Sequence, residues 1–129
     1  MLKSAPAFAT FSVSDIPAAK RFYGDVLGLN VKEEAIDGYP LLALRLAGGA
    51  RVMLYSKPNH APASYTVLNF EVPDIDRAVT ELEGRGVRFE HYSSGPVKTD
   101  ARGISLTGTH AIAWFKDPAG NTLSVVQQR

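Results

Sequence analysis

The sequence predicts an α+β fold: two βαβββ modules whose strands form a curved, cleft-bearing mixed sheet with the helices on its convex side. Three observations carry that expectation. A strand-like run leads into a capped amphipathic helix with a glycine stop at Phe11 to Leu29, FSVSDIPAAKRFYGDVLGL. The pattern returns at Phe70 to Val87, where Phe11, Val13, Asp15, Ile16 and Ala19 match Phe70, Val72, Asp74, Ile75 and Ala78 at one constant step, the mark of a duplicated unit. Each copy is followed by short alternating runs separated by turn residues.

In the first copy, Ala7 to Val13 alternates Phe11 and Val13 with Thr10 and Ser12, the period of a half-buried strand. Ser14 or Asp15 caps the helix that follows, and Pro17 falls in its first turn, where no intrahelical N–H bond is lost. Ile16, Ala19, Phe22, Tyr23, Val26 and Leu27 recur at helical spacing and need a sheet to cover them. Gly28 ends the helix by taking the left-handed conformation cheaply.

Asn30 to Glu34 is the next strand, closed by a turn at Asp37, Gly38 and Pro40. Leu41 to Leu46 and Arg51 to Ser56 flank Gly48-Gly49 and predict a hairpin with a two-residue loop. Pairing Ala47 with Ala50 sets Leu44 opposite Met53 and Leu42 opposite Tyr55, with these four on one side of the sheet. Lys57 to Ser64, with Pro58, Asn59 and Pro62, reads as an extended connector. In the second copy Asp74 caps, Ile75, Ala78, Val79 and Leu82 face inward, and Gly84 and Gly86 stop the helix. Val87 to His91 is a strand candidate, and Tyr92 to Thr107 reads as a long loop of the lid or ligand-binding kind. His110 to Lys116 and Asn121 to Gln127 flank Asp117-Pro118-Ala119-Gly120, which suits a type I turn followed by a left-handed residue and a bulge. That turn sets Phe115 opposite Leu123 and Trp114 opposite Ser124.

At 129 residues the chain reads as one domain, 1–129, made of module 1 (about 5–56) and module 2 (about 64–128). A net charge of +1, with basic and acidic residues scattered, gives no electrostatic reason to expect nucleic acid or an anionic membrane as partner. The absence of cysteine excludes a disulfide scaffold, a thiolate metal site and a cysteine nucleophile. No run is long enough to span a membrane, and Met1 to Ala9 is too short and mixed for a secretory signal, so a cytoplasmic protein is expected.

Together FSVSDIPAAKRFYGDVLGL, VPDIDRAVTELEGRGV and WFKDPAGNTLSVV resemble the vicinal oxygen chelate family, which includes glyoxalase I, extradiol dioxygenases, fosfomycin resistance enzymes and bleomycin resistance proteins. The resemblance runs from about Phe8 to Gln127. It implies a single glyoxalase/bleomycin-resistance-like domain, a homodimer, and, in the metal-binding members, a divalent ion held by His and Glu from four cleft-facing strands. Carried over from the SDI and PDI motifs and the closing strand, those four positions fall on Phe8, Met53, Val67 and Ser124. Phenylalanine and valine offer no lone pair, and a thioether is a poor donor for the metals concerned, so no metal and no other cofactor is expected.

The cleft then reads as a small-molecule site formed by Phe8, Thr10, Leu44, Met53, Tyr55, Val67, Asn69, Ile112, Trp114 and Ser124: an apolar, partly aromatic surface with a few orienting polar groups, suited to an aromatic or amphipathic ligand. The competing reading makes the same side chains ordinary core. An alternative function is a lyase, isomerase or dioxygenase-like enzyme that uses His110 or Glu71 for proton transfer, or that keeps a metal through unconventional ligands. His60, in the proline-rich connector, and His91 read as surface residues without a role.

Overall fold

The computed structural model describes residues 1–129 and divides into two compact units, Met1–Ala61 and Pro62–Arg129. Each unit has the βαβββ order the sequence predicts, and each holds a four-stranded mixed sheet.

In the first unit, β1 (Ala9–Val13) leads into α1 (Ile16–Lys20), capped by Asp15, whose carboxylate accepts from the Ala18 N–H at 3.2 Å. The helix does not continue as a regular α-helix. Arg21–Val26 forms a π-helical turn in which the Leu27 N–H donates to the Phe22 carbonyl at 2.9 Å. Within this turn Gly24 faces β2: a Cβ there would stand 3.0 Å from Val31 Cγ2. Gly28, at φ 74°, ends the segment. β2 (Asn30–Ile36), β3 (Tyr39–Arg45) and β4 (Arg51–Ser56) complete the sheet in the order β1-β4-β3-β2, with β1 and β4 parallel. Val13, Ile16, Ala19, Tyr23, Leu42, Leu44, Val52 and Leu54 form its core beneath α1.

The hairpin register differs by one residue from the expected one. The loop is Ala47-Gly48-Gly49, both glycines have positive φ, and the Leu46 N–H donates to the Ala50 carbonyl at 2.9 Å. Three loop residues instead of two slide the ladder by one position, and because side chains alternate with period two, a one-residue slip sends a strand's side chains to the other face. Leu44 therefore pairs with Val52, and Leu42 with Leu54, on the helix side, while Ala43 pairs with Met53 and Leu41 with Tyr55 on the helix-free side.

In the second unit, β5 (Thr66–Glu71) precedes α2 (Ile75–Gly84), whose cap Asp74 accepts from the Arg77 N–H at 3.2 Å. β6 (Ile104–Leu106), β7 (His110–Lys116) and β8 (Thr122–Gln128) give the order β5-β8-β7-β6, with β5 and β8 parallel. Ile75, Val79, Phe89, Ala111, Ala113, Phe115, Leu123 and Val125 form the core on the α2 side. The β7–β8 turn has the expected register: the Asp117 N–H donates to Asn121, the Gly120 N–H returns to Asp117, and Phe115 faces Leu123.

The outer strand corrects a second expectation. Val87 to His91 contributes only a bridge, Phe89 opposite Phe115, and a Glu90 N–H bond to the Trp114 carbonyl at 2.8 Å. The true edge strand, β6, lies inside the segment read as a loop, where it pairs with Ala111 to Ala113. A side-chain turn sets it up: the Asp100 carboxylate accepts from the Arg102 and Ile104 N–H groups at 2.8 and 2.9 Å. Gly103, at φ +86°, lets the returning chain lie against the departing one, since a Cβ there would meet the Glu90 carbonyl at 3.0 Å. The loop is also tied at its base, where the Tyr92 N–H donates to Thr99 Oγ1 at 2.8 Å.

Candidate functional site

Alternation along the strands gives each sheet one face under its helix and one without. On the first sheet the helix-free face carries rows of side chains set by register. Arg51, Arg45 and Asn30 form one row, with Phe8, just before β1, against Arg51; Thr10, Met53, Ala43 and Lys32 form the next, and Ser12, Tyr55, Leu41 and Glu34 the third. Thr10 Oγ1 donates to the Met53 carbonyl at 2.5 Å, so that hydroxyl is turned to its neighbour's backbone. Phe8 is 57% exposed, with the Arg51 guanidinium 5.4 Å from its ring centroid. Met53 is buried and Tyr55 half-buried. Leu44 does not belong to this group. It is fully buried under α1, for the reason of register given above.

The sequence also undervalued His60. A turn closed by the His60 N–H on the Lys57 carbonyl at 3.0 Å, and a Lys57 N–H bond to Val13 at 3.1 Å, fold the start of the connector back along β1. His60 Nδ1 then lies 2.6 Å from Ser12 Oγ, on the row of Tyr55, and the imidazole is half-buried. Lys57-Pro58-Asn59-His60 holds the turn chemistry that could have signalled this.

On the second sheet the helix-free rows are Asn69, Ser124 and Trp114, then Glu71, Val126, Ile112 and Ser105, with His110 opposite Gln128 at the end. Trp114 is half-buried, its indole N–H donates to Thr66 Oγ1 at 3.1 Å, and Tyr92 packs edge-on at 5.8 Å between centroids. Ser124 is fully buried and donates to Asn69 Oδ1 at 2.5 Å. Val67 sits at a register shift between Thr66 and Leu68 and opposes no residue of β8. This bulge is what brings Thr66, one position earlier, under the indole. His110 Nδ1 lies 2.7 Å from Thr109 Oγ1 at the start of β7, two rows from Trp114, and Glu71 is an exposed carboxylate.

The four positions that the resemblance assigns to a metal do not fit one. Phe8 and Val67 have no donor atom, Met53 offers a thioether, and the Ser124 hydroxyl donates to Asn69. No group of three or more His, Asp or Glu side chains gathers anywhere to hold an ion. A separate hollow of about 380 Å³ beside the π-helical turn is lined by Lys20, Arg21, Asp25 and Glu33 and crossed by the 2.9 Å Lys20–Glu33 ion pair. It has none of the aromatic surface that marks the helix-free faces.

The model of the Glyoxalase/Bleomycin resistance protein/Dioxygenase superfamily matches residues 6–125. The chain belongs to this superfamily. Among solved structures, TnmS3, an antibiotic binding protein from Streptomyces sp. CB03234, superposes with a TM-score of 0.72 at 24% identity, over 98% of each chain. A glyoxalase family protein from Enterococcus faecalis gives 0.69 at 24% identity, over 98% of this chain and 99% of that one. A glyoxalase/bleomycin resistance protein, again from Streptomyces sp. CB03234, gives 0.62 at 26% identity, over 95% and 100%. Comparison with curated proteins returned no match. No helix is long and apolar enough to cross a membrane.

Proposed function

We propose that the chain is a metal-free small-molecule binding protein of the glyoxalase/bleomycin resistance type, holding an aromatic or amphipathic ligand on its helix-free surfaces. One observation carries the reading: Trp114, braced by Tyr92 and fixed by Thr66, presents a half-buried indole on a strand face that no helix of its own unit covers. A flat ring held in one orientation stacks a ligand at little entropic cost. Ile112 adds apolar surface beside it, and Asn69 with Ser124 supplies an amide that can orient a polar group. The antibiotic binding activity named for TnmS3 agrees with this reading. We further propose that the protein is cytoplasmic and works as a homodimer; light scattering on the purified chain tests the dimer directly.

Trp114 is the only tryptophan, so its emission reports on its own surroundings. Titration with phenylnaphthylamine, a neutral aromatic probe, is expected to quench that emission. Trp114→Ala is expected to weaken the probe's affinity, read from probe emission, by about tenfold or more. Unchanged affinity in Trp114→Ala would remove Trp114 from the site and this reading with it.

A further inference from the structure

We propose that the helix-free face of the first sheet, taken by itself, binds an aromatic oxyanion, a sulfonate or carboxylate, through Arg45 and Arg51; this deepens the reading of the helix-free surfaces as small-molecule sites and rests on it. The ladder places Arg45 on β3 directly opposite Arg51 on β4. Like charges facing each other across a ladder repel, so the pair is unfavourable for folding alone. No carboxylate stands within ion-pair distance of either guanidinium. Arg51 is also held in place, its guanidinium lying over the Phe8 ring.

The second unit supplies the control. Asn69 and Ser124 stand to its sheet as Thr10 and Met53 stand to the first, so the residues matching Arg45 and Arg51 are Lys116 and Thr122. There one partner is neutral, and the Lys116 ammonium is 3.4 Å from the Glu90 carboxylate. The duplicated scaffold thus accommodates this position with its charge compensated, and only the first copy leaves two cations facing each other. Two planar guanidinium forks suit the paired oxygens of an oxyanion, which would remove their mutual repulsion. The next rows on the same face, with Met53 and Ala43 and then Tyr55 and Leu41, extend an apolar floor about 13 Å from the arginines, given the strand rise per residue. Lys32 and Glu34 lie on the outer strand of those rows and offset each other. The ligand class is an aromatic molecule two or three fused rings long with an anion at one end.

Anilinonaphthalene sulfonate and phenylnaphthylamine share one ring skeleton and differ in the sulfonate, so their affinities isolate the charge. Probe emission is expected to show the sulfonate binding about tenfold more tightly at low salt, with most of that advantage lost at high salt. Arg45→Gln and Arg51→Gln should each remove most of the sulfonate's advantage and leave the neutral probe within about twofold. Arg45→Gln, without ligand, should also melt at or above the temperature of the unsubstituted protein, as relief of repulsion requires; Arg51→Gln loses the Phe8 contact as well and should melt no more than slightly below it. Equal affinities for the two probes, or an advantage that survives both substitutions, would overturn the anion site while leaving the small-molecule reading standing. Failure of both probes to bind would overturn both. A lowered melting temperature in both variants would show the arginines to be structural and would also overturn the proposal.

Discussion

The two units share one plan and spend their helix-free faces differently. Where the second sheet puts Trp114, the first puts Ala43; where the first puts Ser12 and Tyr55, the second puts Glu71 and Val126. The helix sides are far more alike: Phe11 and Phe70, Ile16 and Ile75, and Ala19 and Ala78 match, since each lies at or facing the contact between a helix and its sheet. Packing constrains one face of a duplicated sheet and leaves the other open to divergence. Differences between the copies therefore point to function more directly than their shared residues do.

The largest expected effect tests the register on which this comparison rests. Leu44→Ala and its counterpart Phe115→Ala should each cost about 3 to 4 kcal/mol in urea denaturation, because both side chains lie under helices. A loss below about 1 kcal/mol for Leu44→Ala would return that residue to the open face. Next comes Gly103→Ala, expected to cost about 2 to 3 kcal/mol from combined positive φ and a clash with the Glu90 carbonyl. Gly48→Ala, equally left-handed but in open space, should cost about 1 kcal/mol. Ser124→Ala leaves the Asn69 amide oxygen without its donor and should cost about 1 to 2 kcal/mol, whereas Thr10→Ala, at a more exposed site, should cost less than about 1 kcal/mol. Equal losses would mean that the two hydroxyls do the same work. The smallest effect is one of sign. Lys116→Gln should destabilise by no more than about 0.5 kcal/mol, since its ion pair with Glu90 is partly exposed, and Arg45→Gln should not destabilise at all.

Most of the regular elements were legible in the residues. Caps at Asp15 and Asp74, the stop at Gly28 and the Asp-Pro-Ala-Gly turn each act within a few residues of themselves, and each stands where local chemistry puts it. What escaped depended on distant contacts. Both a two-residue and a three-residue loop are compatible with Gly48-Gly49; the ladder takes three, and that shift moves Leu44 off the expected face. β6 has only three residues and no periodicity to read, so its signal was the Asp100 side-chain turn before it. The bulge at Val67 and the π-helical turn at Arg21–Val26 likewise interrupt regular patterns without a local sequence signal. Of the expected ligand-binding residues, Asn69, Ile112, Trp114 and Ser124 share the helix-free face of the second sheet as alternation expects, whereas His60, given no role by the sequence, reaches Ser12 on the first sheet, 48 positions away, through a turn.

The divided outer strand of the second unit has a bearing on how the protein behaves at high concentration. A continuous edge offers a row of unused backbone donors and acceptors to any passing extended chain. Here the chain departs at Glu90 and comes back only for Ile104–Leu106, so no long template is on offer. The opposite case, β2, runs for seven residues but carries Lys32, Glu33 and Glu34 at its middle, where charged side chains discourage a newcomer. Of these two borders, β6 is guarded by brevity and β2 by charge, and neutralising Lys32, Glu33 and Glu34 would open the longer one to edge-to-edge pairing.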